Sequence, residues 1–175
     1  MLEINKIYNI DIIEGLKQID NNSIDHIIID PPYKINYNQE NWDKIETTIN
    51  WEFIFTEFKR ITKENSNIII FQGWSNVCET ISIGKKYFKL NNWIIWDRIK
   101  CRGSKRNLAS GREDILWFVN SDKYVYNKIY SNTPKKTGGM GNKNGQKNRC
   151  LTNVFYDLSP VPPWAPERVN HPPQK

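Results

Sequence analysis

Paired cysteines and histidines are missing from this 175-residue sequence. Cys78, Cys101 and Cys150 are isolated, and His26 and His171 lie far apart. An odd cysteine count with no metal-ligand spacing argues against a disulfide framework or a zinc site. Reduced thiols in a cytoplasmic protein are the expectation. There is no apolar run long enough to span a bilayer and no secretory leader, so no membrane partner is expected. Glycine is sparse as well. Gly15 is the first, and only Gly138, Gly139, Gly141 and Gly145 cluster. The polar, turn-forming stretch Ser131 to Lys136 precedes that cluster. A nucleotide-cradling loop needs a strand before it and a helix after it, so the cluster is read as a flexible basic loop.

What the chain does have is unevenly placed charge. Between Arg98 and Arg149 there are 13 Lys and Arg against three acids, Glu113, Asp114 and Asp122. The remainder carries 12 basic and 16 acidic residues, so the whole net charge of +6 originates in that block. A solvated face is the plain alternative, but concentrated charge among Gly, Asn and Ser suits a polyanion. Lys100, Arg102, Lys105, Arg106, Arg112, Lys135, Lys136, Lys143, Lys147 and Arg149 are therefore the candidate contacts to a nucleic acid.

The apolar periodicity alternates between helix and strand. Ile12, Leu16 and Ile19 have helical spacing. Asn50 can cap a helix with Trp51, Ile54, Phe55, Phe58 and Ile61 on one face. A buried strand at 67–71 follows, then a helix through Val77 and Ile81 capped by Ser75. Trp93 to Trp96 and Ile115 to Val119 read as strands, with Tyr124 to Tyr126 pairing at an edge. This order predicts an α/β chain with a parallel sheet flanked by helices. Of the seven tryptophans, most are expected in the core. Trp42 is the exception, since the polar stretch 34–43 around it reads as a loop.

The most informative segment is Ile27-Ile28-Ile29-Asp30-Pro31-Pro32-Tyr33. Three β-branched residues read as a buried strand, and two prolines then stop it. A carboxylate, an exposed carbonyl and an aromatic ring are delivered to the carboxyl end of a strand, where open α/β sheets bind ligands. Asp30 and the Pro31 carbonyl can accept hydrogen bonds from an amino group on a flat heterocycle. Tyr33 can stack on its face, a contact worth roughly 1–3 kcal/mol. The alternative is a tight turn in which Asp30 is only a local cap. His26 belongs to the strand and has a structural role.

Asp30-Pro31-Pro32-Tyr33 resembles the catalytic motif of the DNA amino-methyltransferases, which methylate adenine N6 or cytosine N4 with S-adenosylmethionine. Asp in first position is typical of the adenine enzymes. The lead-in Asn9-Ile10-Asp11, Leu16 and Ser23-Ile24-Asp25 is similar to the family's, with Asn9 where Gly is usual. Phe71-Gln72-Gly73, Ile94 to Asp97 and Arg112 to Leu116 are similar to later motifs. Only 29 residues precede Asp30, too few for a strand, glycine loop and helix, which implies the permuted β-class order with the catalytic half first. Arg168 to Lys175, with His171-Pro172-Pro173-Gln174-Lys175, resembles the segment that opens the family's cofactor-binding half.

The resemblance implies a Rossmann-like methyltransferase sheet, circularly permuted and partial, with an inserted basic DNA-recognition region. Residues 1–99 would be the catalytic part and 100–150 the recognition region with edge strands. Residues 151–175 would lead into a cofactor-binding half that lies beyond Lys175. Asp30, Pro31, Pro32 and Tyr33 would be catalytic, with Asp11, Asp30, His171, Gln174 and Lys175 toward the cofactor. Tyr37 and Trp42 would lie in a loop that closes over a flipped base, as candidates for base or DNA contacts, with core packing the equal alternative for Trp42. No metal is implied. The partners would be duplex DNA and either a second copy of the chain or a complementing chain with the cofactor loop. Three other readings stay open: an inactive DNA-binding fragment, an N4-cytosine enzyme, and methylation of RNA or a protein glutamine.

Overall fold

The computed structural model describes residues 2–35, 44, 49–102, 106–134, 148–156 and 166, with backbone alone at 100–102 and 133–134. A short helix α1 (Ile12–Leu16) begins at Asp11, whose side chain accepts a hydrogen bond from Ile13 N. Strand β1 (Ile24–Ile29) follows. Helix α2 (Trp51–Ile61) has Asn50 as its cap, accepting from Phe53 N, and buries Trp51, Ile54, Phe55, Phe58 and Ile61. Thr62 leaves the helix in extended conformation, and β2 (Thr62–Gln72) continues without a loop.

The chain then forms α3 (Val77–Gly84), β3 (Lys89–Arg102) and β4 (Ser110–Val119). β5 (Tyr130–Pro134) and β6 (Asn148–Cys150) pair as a separate antiparallel ribbon, and β7 (Val154–Phe155) adds to the main sheet beside β3. The main sheet runs β1-β2-β4-β3-β7.

Two expectations about the sheet change. It is mixed, because β4 runs antiparallel to both β2 and β3 while β1 and β2 are parallel. The link between β3 and β4 is only residues 103–109, too short for the crossover that a parallel pair needs. β4 therefore doubles back into the gap that the α3 crossover leaves between β2 and β3. The middle strand of the sheet thus lies inside the basic stretch 100–150. β1, for its part, is an edge strand among the described residues. Ile27 turns into the core, whereas Ile28, on the opposite face, is 70% exposed because none of the described residues covers it.

Tyr124 to Tyr126 form no strand. They cross the sheet face away from α2 and α3, with the Tyr124 and Tyr126 rings 5.8 and 5.7 Å from Trp117. Asn67 holds this crossing by donating from its side chain to the Val125 carbonyl. A cleft of about 420 Å³ on that face is lined by Ile69, Trp117, Tyr126 and Phe155 among others, none of them in the Asp30 motif. No helix among the described residues is long and apolar enough to cross a membrane.

The core lies between the sheet and α2 and α3. Phe55 and Phe118 are fully buried, and both crowd Gly84. A Cβ on Gly84 would sit 2.7 Å from Phe118 Cζ and 2.8 Å from Phe55 Cζ. Close approach explains a helical glycine that would otherwise cost about 1 kcal/mol against alanine. Gly84→Ala is expected to lower unfolding free energy by about 1–3 kcal/mol through overpacking, visible as a lower denaturation midpoint in urea. An unchanged midpoint would show that the two rings can yield.

Candidate active site

The site is built where β1, β2 and β3 point their carboxyl ends and the reversed β4 begins. β1 stops at Ile29 because Pro31 and Pro32 cannot extend the ladder. Asp30 is left exposed, and Tyr33 folds back with Lys34 in the left-handed region at φ 58°. Gly73, just past β2, lets the Tyr33 ring lie directly on the backbone. A Cβ there would be 3.3 Å from Tyr33 Cβ and Cγ. Asn76 Nδ2 donates to the Tyr33 carbonyl at 2.7 Å, latching the proline turn to the turn after β2.

That latch corrects the expected start of α3. Asn76, not Ser75, occupies the cap position, and it makes no side-chain cap bond. Its amide is committed to Tyr33. The β2–α3 turn is also fixed by Gln72, which donates to Thr80 Oγ1 at 2.9 Å and accepts from Gly73 N at 3.0 Å.

Tyr33 carries the central geometry. Its hydroxyl lies 2.8 Å from Asp30 Oδ1 and 3.2 Å from Glu113 Oε2, so one phenolic proton faces two carboxylates. Glu113 is only 4% exposed and pairs with Arg98 Nη1 at 2.7 Å. Burial, then the charges of Glu113 and Asp30, push the Tyr33 phenol far above the usual tyrosine range. The hydroxyl is therefore a permanent donor. The next residue, Asp114, points to the opposite sheet face, where it is fully buried and accepts from Trp93 Nε1 at 2.7 Å.

The other residues singled out in the sequence scatter. Asp11 uses its carboxylate to cap α1. Arg112 is half-exposed, and its Nε lies 3.5 Å from Asp114 Oδ2. Arg106 and Arg149 are exposed, Arg149 on β6. Lys100 and Arg102 lie at the end of β3, where only the backbone is described. Tyr37, Trp42, Lys105, Lys135, Lys136, Lys143, Lys147, Trp164, His171, Gln174 and Lys175 lie outside the described residues, as does the glycine cluster.

Three site residues were not assigned a role from sequence: Arg98, Asn76 and Glu113. The available signal was Glu113-Asp114 itself, an acidic pair inside a strongly basic block and directly before the apolar run of β4. Trp74 also departs from expectation. It is 63% exposed beside Gly73, because the β2–α3 turn carries it away from the core.

Residues 24–175 match the protein family described as DNA methylase. The type II methyltransferase M1.MboII of Moraxella bovis is 32% identical over 137 residues, which are 73% of this chain and 50% of that protein. The structure of an M1.HpyAVI–SAM complex aligns with a TM-score of 0.50 at 20% identity, over 94% of this chain and 65% of that one. The cytosine-N4-specific PvuII DNA methyltransferase aligns with a TM-score of 0.55 at 14% identity, over 88% and 57%. These structural likenesses carry the methyltransferase fold. The chain spans about half the length of the curated relatives it matches.

Proposed function

The chain belongs to the DNA methylase family, and from that premise we propose that it transfers a methyl group from S-adenosylmethionine to adenine N6 in duplex DNA. The observation that carries this reading is the exposed Asp30 carboxylate, oriented by the Tyr33 hydroxyl at the carboxyl end of β1. An exocyclic amine is a poor nucleophile because its lone pair is delocalised into the ring. Asp30 and the Pro31 carbonyl, accepting hydrogen bonds from it, draw that lone pair toward the methyl donor. The target base must leave the stack to present its amine there. Tyr33 flanks the base, and Asp30 is the acceptor for the proton that the amine sheds.

S-adenosylmethionine supplies an electrophilic methyl group on a sulfonium. The described residues fit a cation at the exposed Asp30 carboxylate, which the Tyr33 hydroxyl orients, while Glu113 is already balanced by Arg98. Asp11 and Asp30, with His171, Gln174 and Lys175, are the proposed donor-binding residues of this chain. Arg106, Arg112, Arg149 and the lysines of the basic block would neutralise phosphates. Asp at position 30 favours adenine over cytosine through the family resemblance.

The experiment is methyl transfer from methyl-labelled S-adenosylmethionine to duplex DNA, with digestion to nucleosides. Label in N6-methyladenine is expected. Label in N4-methylcytosine would move the reading to the cytosine enzymes. DNA binding with no labelled base and no heat of S-adenosylmethionine binding would mark a DNA-binding fragment.

A further inference from the structure

The methyl-transfer reading leaves two residues of the site without a catalytic part, Glu113 and Arg98. A carboxylate as buried as Glu113 is costly unless it is paired. Arg98 supplies the pair at Oε1, which leaves Oε2 directed at Tyr33, 80 positions away in the chain. The backbone that carries Arg98 is itself unusual. Ile99 sits at φ 64°, a left-handed conformation that β-branched residues avoid, and its N–H donates to Asp97 Oδ1 at 2.8 Å. The register between β3 and β4 is interrupted between Asp97 and Arg102. Strain of this kind persists only where the surroundings impose it, and it tends to gather at functional sites. Here it lies immediately beside the arginine that anchors Glu113.

We propose that Glu113, anchored by Arg98, is a positioning residue for methyl transfer: it shares the single Tyr33 phenolic proton with Asp30, so that the hydroxyl is held between the two carboxylates and Asp30 keeps one orientation. This rests on the reading of Asp30 as the acceptor for the target amine. Gly73 confines the Tyr33 ring from one side, and Asn76 holds its backbone. At the tip of the ring the hydroxyl lies 2.8 Å from Asp30 Oδ1 and 3.2 Å from Glu113 Oε2. Glu113 thus acts on the reacting amine through two intervening side chains and touches neither base nor donor.

The test is a double-mutant cycle of Tyr33→Phe and Glu113→Gln. Phe keeps the ring and removes the hydroxyl, while Gln keeps the shape of Glu113 and removes its charge. Each single variant should lower kcat about tenfold with KM within about twofold, as expected for loss of alignment. The double variant should be no worse than either, because both act through one hydroxyl. Multiplying losses, or a normal kcat in Tyr33→Phe, would overturn the proposal. The Tyr33→Phe arm stands even where Glu113→Gln fails to fold. A second readout needs no methyl transfer. In protein labelled with 13C at tyrosine Cζ, the Tyr33 line (identified by its loss in Tyr33→Phe) should shift in Glu113→Gln while the Tyr8 line stays. A Tyr33 line that does not shift contradicts the positioning. Should the unmodified protein methylate no base, the function reading fails, and the Tyr33 line still decides whether Glu113 holds the ring.

Discussion

Asp30→Ala is expected to lower kcat for methyl transfer by at least about a thousandfold, some 4 kcal/mol of barrier, with duplex affinity and thermal midpoint nearly unchanged. The large effect follows from the role proposed for the carboxylate. It accepts from the amine only productively when that amine becomes a nucleophile, so its loss removes transition-state stabilisation more than ground-state binding. The small effects follow from its surroundings. Asp30 is exposed, and surface substitutions of this kind usually stay within about 0.5 kcal/mol. Its loss does not strand the Tyr33 proton, because Glu113 Oε2 remains an acceptor at 3.2 Å. Single-turnover methyl transfer, duplex titration and a melting curve together check the prediction. A variant that has lost its melting transition would instead place Asp30 in the framework.

Phe55→Ala is expected to cost about 3–5 kcal/mol of stability, the range for deleting a fully buried aromatic ring. Phe55 has no exposed surface and lies at the centre of an aromatic group. Its ring is 5.5 Å from Trp51, 5.7 Å from Phe118 in an edge-on contact, and 6.2 Å from both Tyr87 and Phe88. These rings join α2, the turn between α3 and β3, and β4, and the Phe55 ring also lies against Gly84 at the end of α3. Folded domains have only about 5–15 kcal/mol in hand, so one such loss takes a large fraction of it. The damage reaches the site through α3, because the turn that leads into it carries Gly73 and Asn76, both set against Tyr33. Urea titration should show a lower midpoint with an unchanged slope. A loss below about 1 kcal/mol would mean that the neighbouring rings collapse into the space.

Features determined by neighbouring residues were legible in the sequence. The proline stop after Ile29 and the Asn50 cap of α2 depend on nearby residues alone, and the apolar face of α2 follows from its period. Features determined across the sheet were not. Periodicity identifies Ile115 to Val119 as a strand but does not give its direction, which follows from the short 103–109 link. The same limit explains Ile28, whose exposure depends on what covers its face of the sheet. Ser75 and Asn76 are both good cap residues, and only the contact with Tyr33 shows what occupies the Asn76 side chain. Glu113 was harder still. Its role depends on Tyr33 and Arg98, one on a turn far away in sequence and the other on the facing strand.

In the proposed reaction the Asp30 carboxylate and the Pro31 carbonyl receive the amino group of a base taken out of the DNA stack. The most direct measurement is a structure of the protein bound to a duplex containing its methylation site and a donor analogue. The target base is predicted to be extrahelical, with its exocyclic nitrogen about 3 Å from an Asp30 carboxylate oxygen and from the Pro31 carbonyl. A base that remains stacked, or an extrahelical base whose amine points away from Asp30, would contradict that role for Asp30.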